Sequence, residues 1–469
     1  MTNRIFLLAL LCLGMLIPAE ATDHAVTGIY VGGHIRRERP HTIDTLRQSG
    51  FTYVILFNVT VETDGTLTTD GETICKDGKY VFYNTQPHYV EDIRLLKTPP
   101  TSISRIEICI GGWGNESYKR INQLVNKSGP GGGTGSTSIL YRNFKALLDA
   151  VPGIDAVNND DEHSYDVASA AQFHVMMYDL GLKTSLAPYT NMNFWKNLAT
   201  EINKQRPGAV DRVMVQCYDG GAYNNPLDWN FPGIERHAGR TNYQSEDKDT
   251  PPLTSSIAQM EKWRDAKAAT GAFVWVYNDE SWNLCDWATN MNRIFVPRST
   301  PEEEAVVEVF TEKKYKGYSV KLPVGKHTKA DLSVYGLFTM TIASFTVKEG
   351  YSVRIYNSVD CTGMGQKYTA NRSELTPAWT GKIQSLKVEK IESGTDITDA
   401  QALPLTLRMA DGQVLVDGAK GQWMTLSNAA GAVLMRQQLL SDAETVSLQS
   451  LPRDIYVVQV GHRSMTVAR

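Results

Sequence analysis

The sequence has few cysteines and no CxxC or CxxH pair, so a structural zinc site is not indicated. It contains six cysteines in 469 residues, and one of them, Cys12, lies in an apolar segment near the N-terminus. The other five are odd in number and widely spaced, which excludes complete internal pairing and a disulfide scaffold. We therefore expect the cysteines to be mostly packing residues.

An excess of charge of one sign and long apolar runs are also missing. The net charge of −4 gives no basis for binding nucleic acid or anionic membranes, and the composition is that of a globular protein. Residues 5–17 form an apolar run that follows Asn3-Arg4, is too short to span a membrane, and precedes Ala19-Glu20-Ala21. This pattern predicts a signal peptide over residues 1–21. We expect a secreted or cell-surface protein with no membrane span.

The length of the chain indicates roughly two to four domains. Residues 22–298 alternate short apolar runs with amphipathic segments, which predicts an α/β fold, a (β/α)₈ TIM-type barrel. An open doubly wound sheet is the alternative, but no glycine-rich phosphate loop follows the first strand. One strand cannot be placed between Gln216 and Ala272. The other predicted strands are residues 26–30, 53–58, 105–110, 154–157, 183–187, 212–216 and 272–277.

Two smaller β domains are predicted after the barrel. A proline-flanked segment near residue 300 indicates a linker, and beyond it the apolar pattern alternates with period two. Residues 304–393 contain two loosely repeated halves with aromatic and glycine residues at matching places, which predicts a sandwich of paired Greek keys. Residues 402–469 predict a small C-terminal β-sandwich.

A cluster of acids ends the predicted strand at residues 154–157. Asn158, Asp160 and Glu162 follow it at intervals of two, and this spacing directs the three side chains to one face of a strand. Crowded carboxylates repel each other, so one of them should remain protonated near neutral pH and be able to donate a proton. A solvated acidic loop is the alternative interpretation, but the apolar residues before the cluster favour catalysis.

Residues 26–298 resemble glycoside hydrolase family 18, particularly its endo-β-N-acetylglucosaminidase branch. Gly111-Gly112-Trp113-Gly114 is similar to the signature that ends the third strand of that family. The acidic stretch is similar to the family pattern Asp-x-x-Asp-x-Asp-x-Glu. Asp155 then takes the first position, Asn158 replaces the second acid, and Asp160 and Glu162 take the last two.

A rival alignment places Gly153-Ile154-Asp155 at the start of the pattern. Val157 and Asn159 would then occupy the last two acidic positions, and the protein would be catalytically inactive. We prefer the first alignment because it recovers the Asp160-Asp161-Glu162 ending that is common in the endoglycosidase branch. It also requires only one change from acid to amide.

Two further segments resemble the family. Residues 213–218 are similar to the sixth strand, with Gln216 as a substrate-binding residue and Tyr218 directed into the sugar pocket. Residues 273–277 are similar to the eighth strand, whose tryptophan, here Trp275, forms the floor under the sugar. Ordinary barrel packing is the alternative for both aromatic residues. Their positions at the carboxyl ends of strands, where barrel active sites lie, favour function.

The resemblance implies retaining hydrolysis of a β-1,4 bond next to N-acetylglucosamine, in N-glycan cores or chitin-like chains. Glu162 would be the general acid and base, and the 2-acetamido group of the substrate would be the nucleophile. Asp160 would orient that group and Tyr218 would donate a hydrogen bond to it, with Asp155 and Asn158 as further substrate-binding residues. The mechanism requires no metal or organic cofactor. Asn158 can hydrogen-bond Asp160 but cannot take its proton.

Two other functions remain open. A lectin-like barrel could keep the sugar cleft without turnover, and the amide at position 158 favours that function. A surface adhesin could instead bind through the domain that follows the barrel. The preferred glycan is not defined by the sequence, because specificity depends on loops such as residues 115–137 and 220–250.

The two C-terminal domains also resemble known families. Residues 306–392 are similar to a βγ-crystallin domain, but Thr339-Met340 and Thr380-Gly381 replace the Asn/Asp pairs of calcium-binding members, so calcium binding is not expected. Residues 451–467 are similar to the C-terminal sorting domain of the Bacteroidetes type IX secretion system, which implies contact with secretion machinery. Asp454-Ile455 and Met465-Thr466 depart from that family's usual residues, and an ordinary accessory sandwich is the alternative.

Overall fold

The computed structural model of the chain describes residues 25–245, 248–277, 283–296, 304–337, 339–391, 406–410, 413–441, 443–449, 451–460 and 463–468. The predicted signal peptide and most of the predicted linker between the barrel and the next domain lie outside these residues. Within the described part of the chain, no helix has the length and apolar character needed to cross a bilayer.

Eight parallel strands form a closed barrel, as predicted. Each strand pairs with the next one along the chain, and the first strand also pairs with the last, since Gly28 lies opposite both Tyr53 and Phe273. The strands are β1 (Thr27–Val31), β2 (Tyr53–Val61), β3 (Arg105–Gly111), β4 (Ala156–Asp160), β5 (Lys183–Leu186), β6 (Val210–Gln216), β7 (Glu235–Thr241) and β8 (Gly271–Tyr277).

Strand β7 is the strand that the apolar pattern does not reveal. Its sequence is Glu-Arg-His-Ala-Gly-Arg-Thr, in which Ala238 has the single apolar side chain. At Gly239 a Cβ atom would lie only 2.3 Å from the ring of Phe273, so the inner face of the strand has no room for an apolar side chain there. Packing inside the closed barrel, rather than hydrophobic periodicity, therefore defines this strand.

The strands bury both faces, because alternate side chains point to opposite sides of a strand. Outward residues such as Val54 and Val213 share one core with the surrounding helices, whereas Tyr53 and Met214 belong to a separate cluster inside the barrel. The helices are α1 (His34–Arg37), α2 (His41–Ser49), α3 (Tyr89–Leu96), α4 (Ser117–Val125), α5 (Ile139–Ala150), α6 (Val167–Asp179), α7 (Met192–Gln205), α8 (Pro252–Asp265) and α9 (Leu284–Phe295).

Two connections depart from regular alternation of strands and helices. Every residue between β6 and β7 is described, and that segment contains the 3₁₀ turns Asp219–Gly221 and Pro226–Trp229 but no α-helix. Between β2 and β3, the short antiparallel strands Leu67–Thr69, Glu72–Lys76 and Lys79–Tyr80 and the turn Phe82–Asn84 precede α3.

The second domain is a sandwich of two antiparallel sheets around a core that includes Phe345 and Leu386. Its strands are β9 (Val307–Glu312), β10 (Lys316–Leu322), β11 (Gly325–His327), β12 (Ser344–Val347), β13 (Tyr351–Tyr356), β14 (Gly365–Tyr368) and β15 (Ser385–Lys390), with the short helix α10 (Lys329–Val334). The sheets have the orders β10-β9-β12 and β11-β15-β13-β14. Strand β11 thus leaves the first half of the domain to pair with the second half, in agreement with the predicted Greek keys.

The sandwich contacts the barrel at the end where the strands begin. The Asn292 side chain on α9 donates hydrogen bonds to the carbonyl oxygens of Gly50 (2.9 Å) and Ser333 (2.7 Å), and it accepts one from Thr27 Oγ1 (2.6 Å). The Arg293 guanidinium donates to the Gly336 carbonyl oxygen at 2.7 Å. Because Thr27 is the first residue of β1, this contact is at the opposite end of the barrel from the carboxyl ends of the strands.

Residues 392–469 form a second compact unit, whose described strands make two antiparallel sheets. Its core includes Met424, Leu426, Tyr456 and Val458. The strands are β16 (Thr406–Ala410), β17 (Gln413–Asp417), β18 (Trp423–Asn428), β19 (Val433–Gln438), β20 (Ala443–Ser447), β21 (Ile455–Val460) and β22 (Arg463–Ala468). Two small sheets over one core agree with the predicted β-sandwich.

Candidate active site

A cleft of about 560 Å³ opens at the carboxyl ends of the barrel strands. This volume lies within the range of about 300 to 1,000 Å³ that is usual for small-molecule sites. Most of the residues predicted from the sequence line it, namely Asp160, Glu162, Gln216, Tyr218 and Trp275.

Two neighbouring carboxyl groups form the polar wall of the cleft. Asp160 ends β4 with only 5% of its surface exposed, and Gln216 Nε2 donates a hydrogen bond to its Oδ1 at 2.9 Å. Burial, followed by the Glu162 carboxylate, raises the pKa of Asp160 well above its usual range, and the hydrogen bond from Gln216 opposes this effect. Burial also raises the pKa of Glu162, whereas His163 and a hydrogen bond with Tyr189 lower it. Both acids therefore retain a proton to higher pH than exposed carboxyl groups.

The glycine pair Gly111-Gly112 at the end of β3 allows that strand end to pack against Asp160. Gly111 has a φ angle of +108°, and a Cβ atom there would lie 2.1 Å from the Asp160 carbonyl oxygen. Gly112 has a φ angle of +101°, and its N–H donates to the same carbonyl oxygen at 2.7 Å. Any larger residue would separate β3 from β4 at this point. Trp113 follows on the rim of the cleft with 88% of its surface exposed.

Aromatic rings form the apolar floor of the cleft. The Trp275 ring meets the Phe57 ring edge-to-face, with centroids 4.8 Å apart, and the Tyr30 ring in the same way at 5.2 Å. This packing fixes the indole at the carboxyl end of β8. Burial raises the pKa of Tyr218 well above its usual range, so its hydroxyl group keeps its proton and can donate a hydrogen bond.

Several cleft residues were not predicted from the sequence. Tyr189 follows β5 and hydrogen-bonds Glu162, and Asp219 follows Tyr218 and accepts hydrogen bonds from Tyr243 (3.1 Å) and Gln244 (2.5 Å). Phe57, which also lines the cleft, lies within β2. Tyr189 and Asp219 lie just beyond the carboxyl end of a strand, and that position is the signal by which they could have been found.

Asp155 is not in the cleft, so its assignment as a substrate-binding residue is corrected. Its carboxylate accepts hydrogen bonds from Lys97 Nζ at 2.8 and 2.9 Å and from the Ile106 N–H at 2.8 Å. Asp155 precedes β4 and Asp160 ends it, and five residues of strand span about 17 Å. Asp155 therefore anchors the start of β4 to β3 at the far end of the barrel.

Asn158 lies inside the barrel below the cleft and does not line it. Its side chain is fully buried, and its hydrogen bonds join it to Tyr30, Ser185 and the sulfur of Met214. The hydrogen bond with Asp160 that the sequence suggested is not among them. The assignment of Asn158 as a substrate-binding residue is therefore corrected as well.

The residues that the rival alignment uses point out of the barrel. Val157 belongs to the core between strands and helices, and Asn159 Nδ2 lies 2.9 Å from His174 Nε2 on α6. Neither side chain can reach the cleft. The preferred alignment is the one whose last two acids face the cleft together.

Comparisons with known proteins give similarities for a limited part of the chain. No protein-family model matches the sequence, and no curated protein matches it significantly. Among solved structures, the chain is similar to a βγ-crystallin domain from Flavobacterium johnsoniae, with 26% identity over 19% of this chain and 99% of that one, at a TM-score of 0.19. It is also similar to the N-terminal domain of protein S, with 30% identity over 19% of this chain and 98% of that one, at a TM-score of 0.18. A third similar structure is a βγ-crystallin domain from Clostridium beijerinckii, with 25% identity over 18% of this chain and 95% of that one, at a TM-score of 0.17.

Proposed function

We propose that the barrel is a retaining glycoside hydrolase that cleaves β-1,4 bonds next to N-acetylglucosamine with assistance from the substrate. The observation that carries the proposal is a pair of neighbouring acids, the buried Asp160 and the half-buried Glu162, at the carboxyl ends of the strands beside an aromatic floor. A carboxylic acid that keeps its proton near neutral pH can donate it to a leaving group, and an apolar ring can stack on a sugar face.

The residues take distinct roles in the reaction. Glu162 donates its proton to the glycosidic oxygen while the bond from that oxygen to the anomeric carbon breaks. The acetamido oxygen of the same sugar forms the new bond to the anomeric carbon and produces an oxazolinium intermediate. Asp160, held by Gln216, orients the acetamido N–H, and Tyr218 donates a hydrogen bond to the acetamido oxygen. Water then attacks the anomeric carbon and gives its proton to Glu162 while the bond from that carbon to the acetamido oxygen breaks, so the two displacements retain the configuration.

The substrate class and the location of the protein are part of the proposal. The substrates are N-glycan cores of glycoproteins or chitin-like chains, because both contain the acetamido group that the mechanism requires. The predicted signal peptide supports export. The resemblance of the C-terminal sandwich to a sorting domain supports contact with secretion machinery at the cell surface.

The first test is the variant Glu162→Gln, which keeps the size of the side chain but removes the transferable proton. Hydrolysis of a high-mannose glycopeptide or of chitooligosaccharides should fall by on the order of a hundredfold or more, while binding is retained. Glu261→Gln, on the exposed side of α8, is the matched control and should hydrolyse as the wild type does. Wild-type rates for Glu162→Gln would exclude its role as the acid.

A glycan-binding barrel without turnover is the second candidate. It is favoured by Asn158, a neutral residue held by hydrogen bonds in the barrel where the family pattern has an acid. Incubation of the wild-type protein with the same glycans distinguishes the two candidates. Products identify a hydrolase, whereas saturable binding without products identifies a lectin.

A further inference from the structure

A buried polar chain crosses the interior of the barrel beneath the cleft. Glu107 on β3 is fully buried, and its carboxylate accepts a hydrogen bond from Arg105 Nε at 2.7 Å and a very short one from Ser185 Oγ. Arg212 lies 4.0 Å from the same carboxylate. Two arginines and a hydroxyl group thus surround the buried carboxyl group of Glu107.

The single proton of the Ser185 hydroxyl determines the direction of this chain. The Ser185 hydroxyl group donates its one hydrogen bond to Glu107. Its oxygen must therefore act as an acceptor towards its other neighbour, Asn158. Asn158 Nδ2 donates to Ser185 Oγ at 2.7 Å, and Asn158 Oδ1 accepts from Tyr30 Oη at 3.0 Å. The hydrogen bonds therefore run from Tyr30 through Asn158 and Ser185 to Glu107, and each group uses the donor or acceptor that it has.

We propose that Glu107 is a positioning residue: it orients the Asn158 amide and makes an amide, rather than a carboxylate, the group that fits at position 158. An aspartate there would face a serine oxygen whose proton is already bound by Glu107. Two carboxylates would then compete for one proton across one hydroxyl group. The acceptor of the serine hydrogen bond beneath the cleft is thus on β3, and it excludes a second carboxyl group from position 158 on β4. This inference does not depend on the proposed hydrolysis, because its test measures unfolding.

The test is a set of variants of the full chain compared by thermal unfolding at pH 8. Asn158→Asp should lower the Tm by on the order of 5 °C, because it buries a second carboxylate beside the first. Glu107→Gln alone should also lower the Tm, since Arg105 loses one of its two charged partners. The double variant should nevertheless melt above Asn158→Asp, because its single carboxylate can take the serine proton. A merely structural role for Glu107 would instead give two losses that add.

A matched control removes a different carboxylate from the same arginine. Asp211 accepts hydrogen bonds from Arg105 at 2.5 and 3.0 Å, but Ser185 donates to Glu107. Asp211→Asn combined with Asn158→Asp should therefore melt no higher than Asn158→Asp alone. Equal rescue by Glu107→Gln and Asp211→Asn, or a wild-type Tm for Asn158→Asp, would overturn the proposal.

The pH dependence of Asn158→Asp provides a test that requires no Glu107 variant. Competition for one proton raises the pKa of the added carboxyl group in the folded state above its unfolded value. The loss of Tm should then be large at pH 8 and smaller at pH 5, where a proton can be bound. A loss of equal size at both pH values would contradict the proposal. The titratable and charged groups around this position are Tyr30, Arg105, Glu107, Cys109, Asp160 and Arg212.

Discussion

At the scale of single residues, the chemistry of the cleft depends on how two carboxyl groups are hydrogen-bonded. Burial raises the pKa of both Asp160 and Glu162, so each remains protonated to higher pH than an exposed acid. Different neighbours oppose the shift in each case, Gln216 for Asp160 and His163 followed by Tyr189 for Glu162. Gln216 and Tyr189 are on different strands or loops, and the Glu162 carboxylate in turn raises the pKa of Asp160.

We predict that Tyr189→Phe moves the alkaline limb of the pH–rate profile to higher pH. The Tyr189 hydroxyl stabilises the ionised form of Glu162 and so lowers its pKa. Removal of the hydroxyl group raises that pKa further, and Glu162 remains a competent acid at higher pH. The measurement is kcat/KM across the pH range on a glycopeptide.

The control for this variant is Tyr223→Phe, which changes a fully exposed tyrosine in the segment between β6 and β7. Its pH profile should coincide with that of the wild type. An alkaline limb that moves to lower pH in Tyr189→Phe would show that Glu162 does not act as the proton donor.

At the scale of secondary-structure elements, the geometry of the cleft depends on how closely β3 approaches β4. The register of the two strands places Gly111 opposite Asp160, and Gly112 continues the contact through its N–H. Both glycines have positive φ angles, a conformation that other residues adopt at a cost of roughly 1 to 2 kcal/mol. Glycine is therefore required here for two reasons: the backbone has a positive φ angle, and there is no space for a Cβ atom next to the Asp160 carbonyl oxygen.

We predict that Gly111→Ala destabilises the barrel by roughly 2 to 5 kcal/mol, because the methyl group would overlap the Asp160 carbonyl oxygen and the backbone would be strained. Gly114→Ala is the control: it has a φ angle of +76° but no atom within 4 Å of its Cβ position, so it should cost about 1 kcal/mol. Denaturant unfolding measures both changes. Equal losses would show that space next to Asp160 is not limiting.

At the scale of the molecule, the sandwich formed by β9–β15 is joined to the barrel by buried hydrogen bonds. Asn292 alone hydrogen-bonds Thr27 at the start of β1, Gly50 at the end of α2 and Ser333 on the helix α10 of the sandwich. Arg293 adds a hydrogen bond to Gly336 and lies 4.5 Å from the centre of the Tyr318 ring. These contacts link the stability of the two domains at the end of the barrel away from the cleft.

We predict that Asn292→Ala lowers the free energy of unfolding of the barrel by about 3 kcal/mol, because it leaves two buried carbonyl oxygens and a hydroxyl group without this partner. Calorimetry should show that the barrel and the sandwich unfold together in the wild type and separately in the variant. Asn290→Ala, on the same helix, removes only a hydrogen bond to Asp286 and should leave one transition. Joint unfolding of both domains in Asn292→Ala would contradict this prediction.

The sequence by itself determined the features that depend on local periodicity. Short apolar runs predicted seven of the barrel strands, and the period-two spacing of Asp160 and Glu162 placed both on one face. The same rule places Asp155 on the opposite face from Asn158, because the two are three residues apart. The sequence therefore contained the reason why Asp155 does not reach the cleft. Strand β7 was not predicted because it contains no apolar run. At Gly239 the rings of Phe273 and Tyr218 leave no space for an apolar side chain on its inner face.

Only the tertiary structure decided which residues meet across the barrel. Glu107, Asn158 and Ser185 lie on three different strands, and Tyr189 reaches Glu162 from the loop after β5. Their contacts depend on the register of paired strands and on closure of the barrel, which join residues far apart in the chain. Alternation along a strand defines the face of a side chain, but depth in the barrel and the partners across it are properties of the assembled sheet.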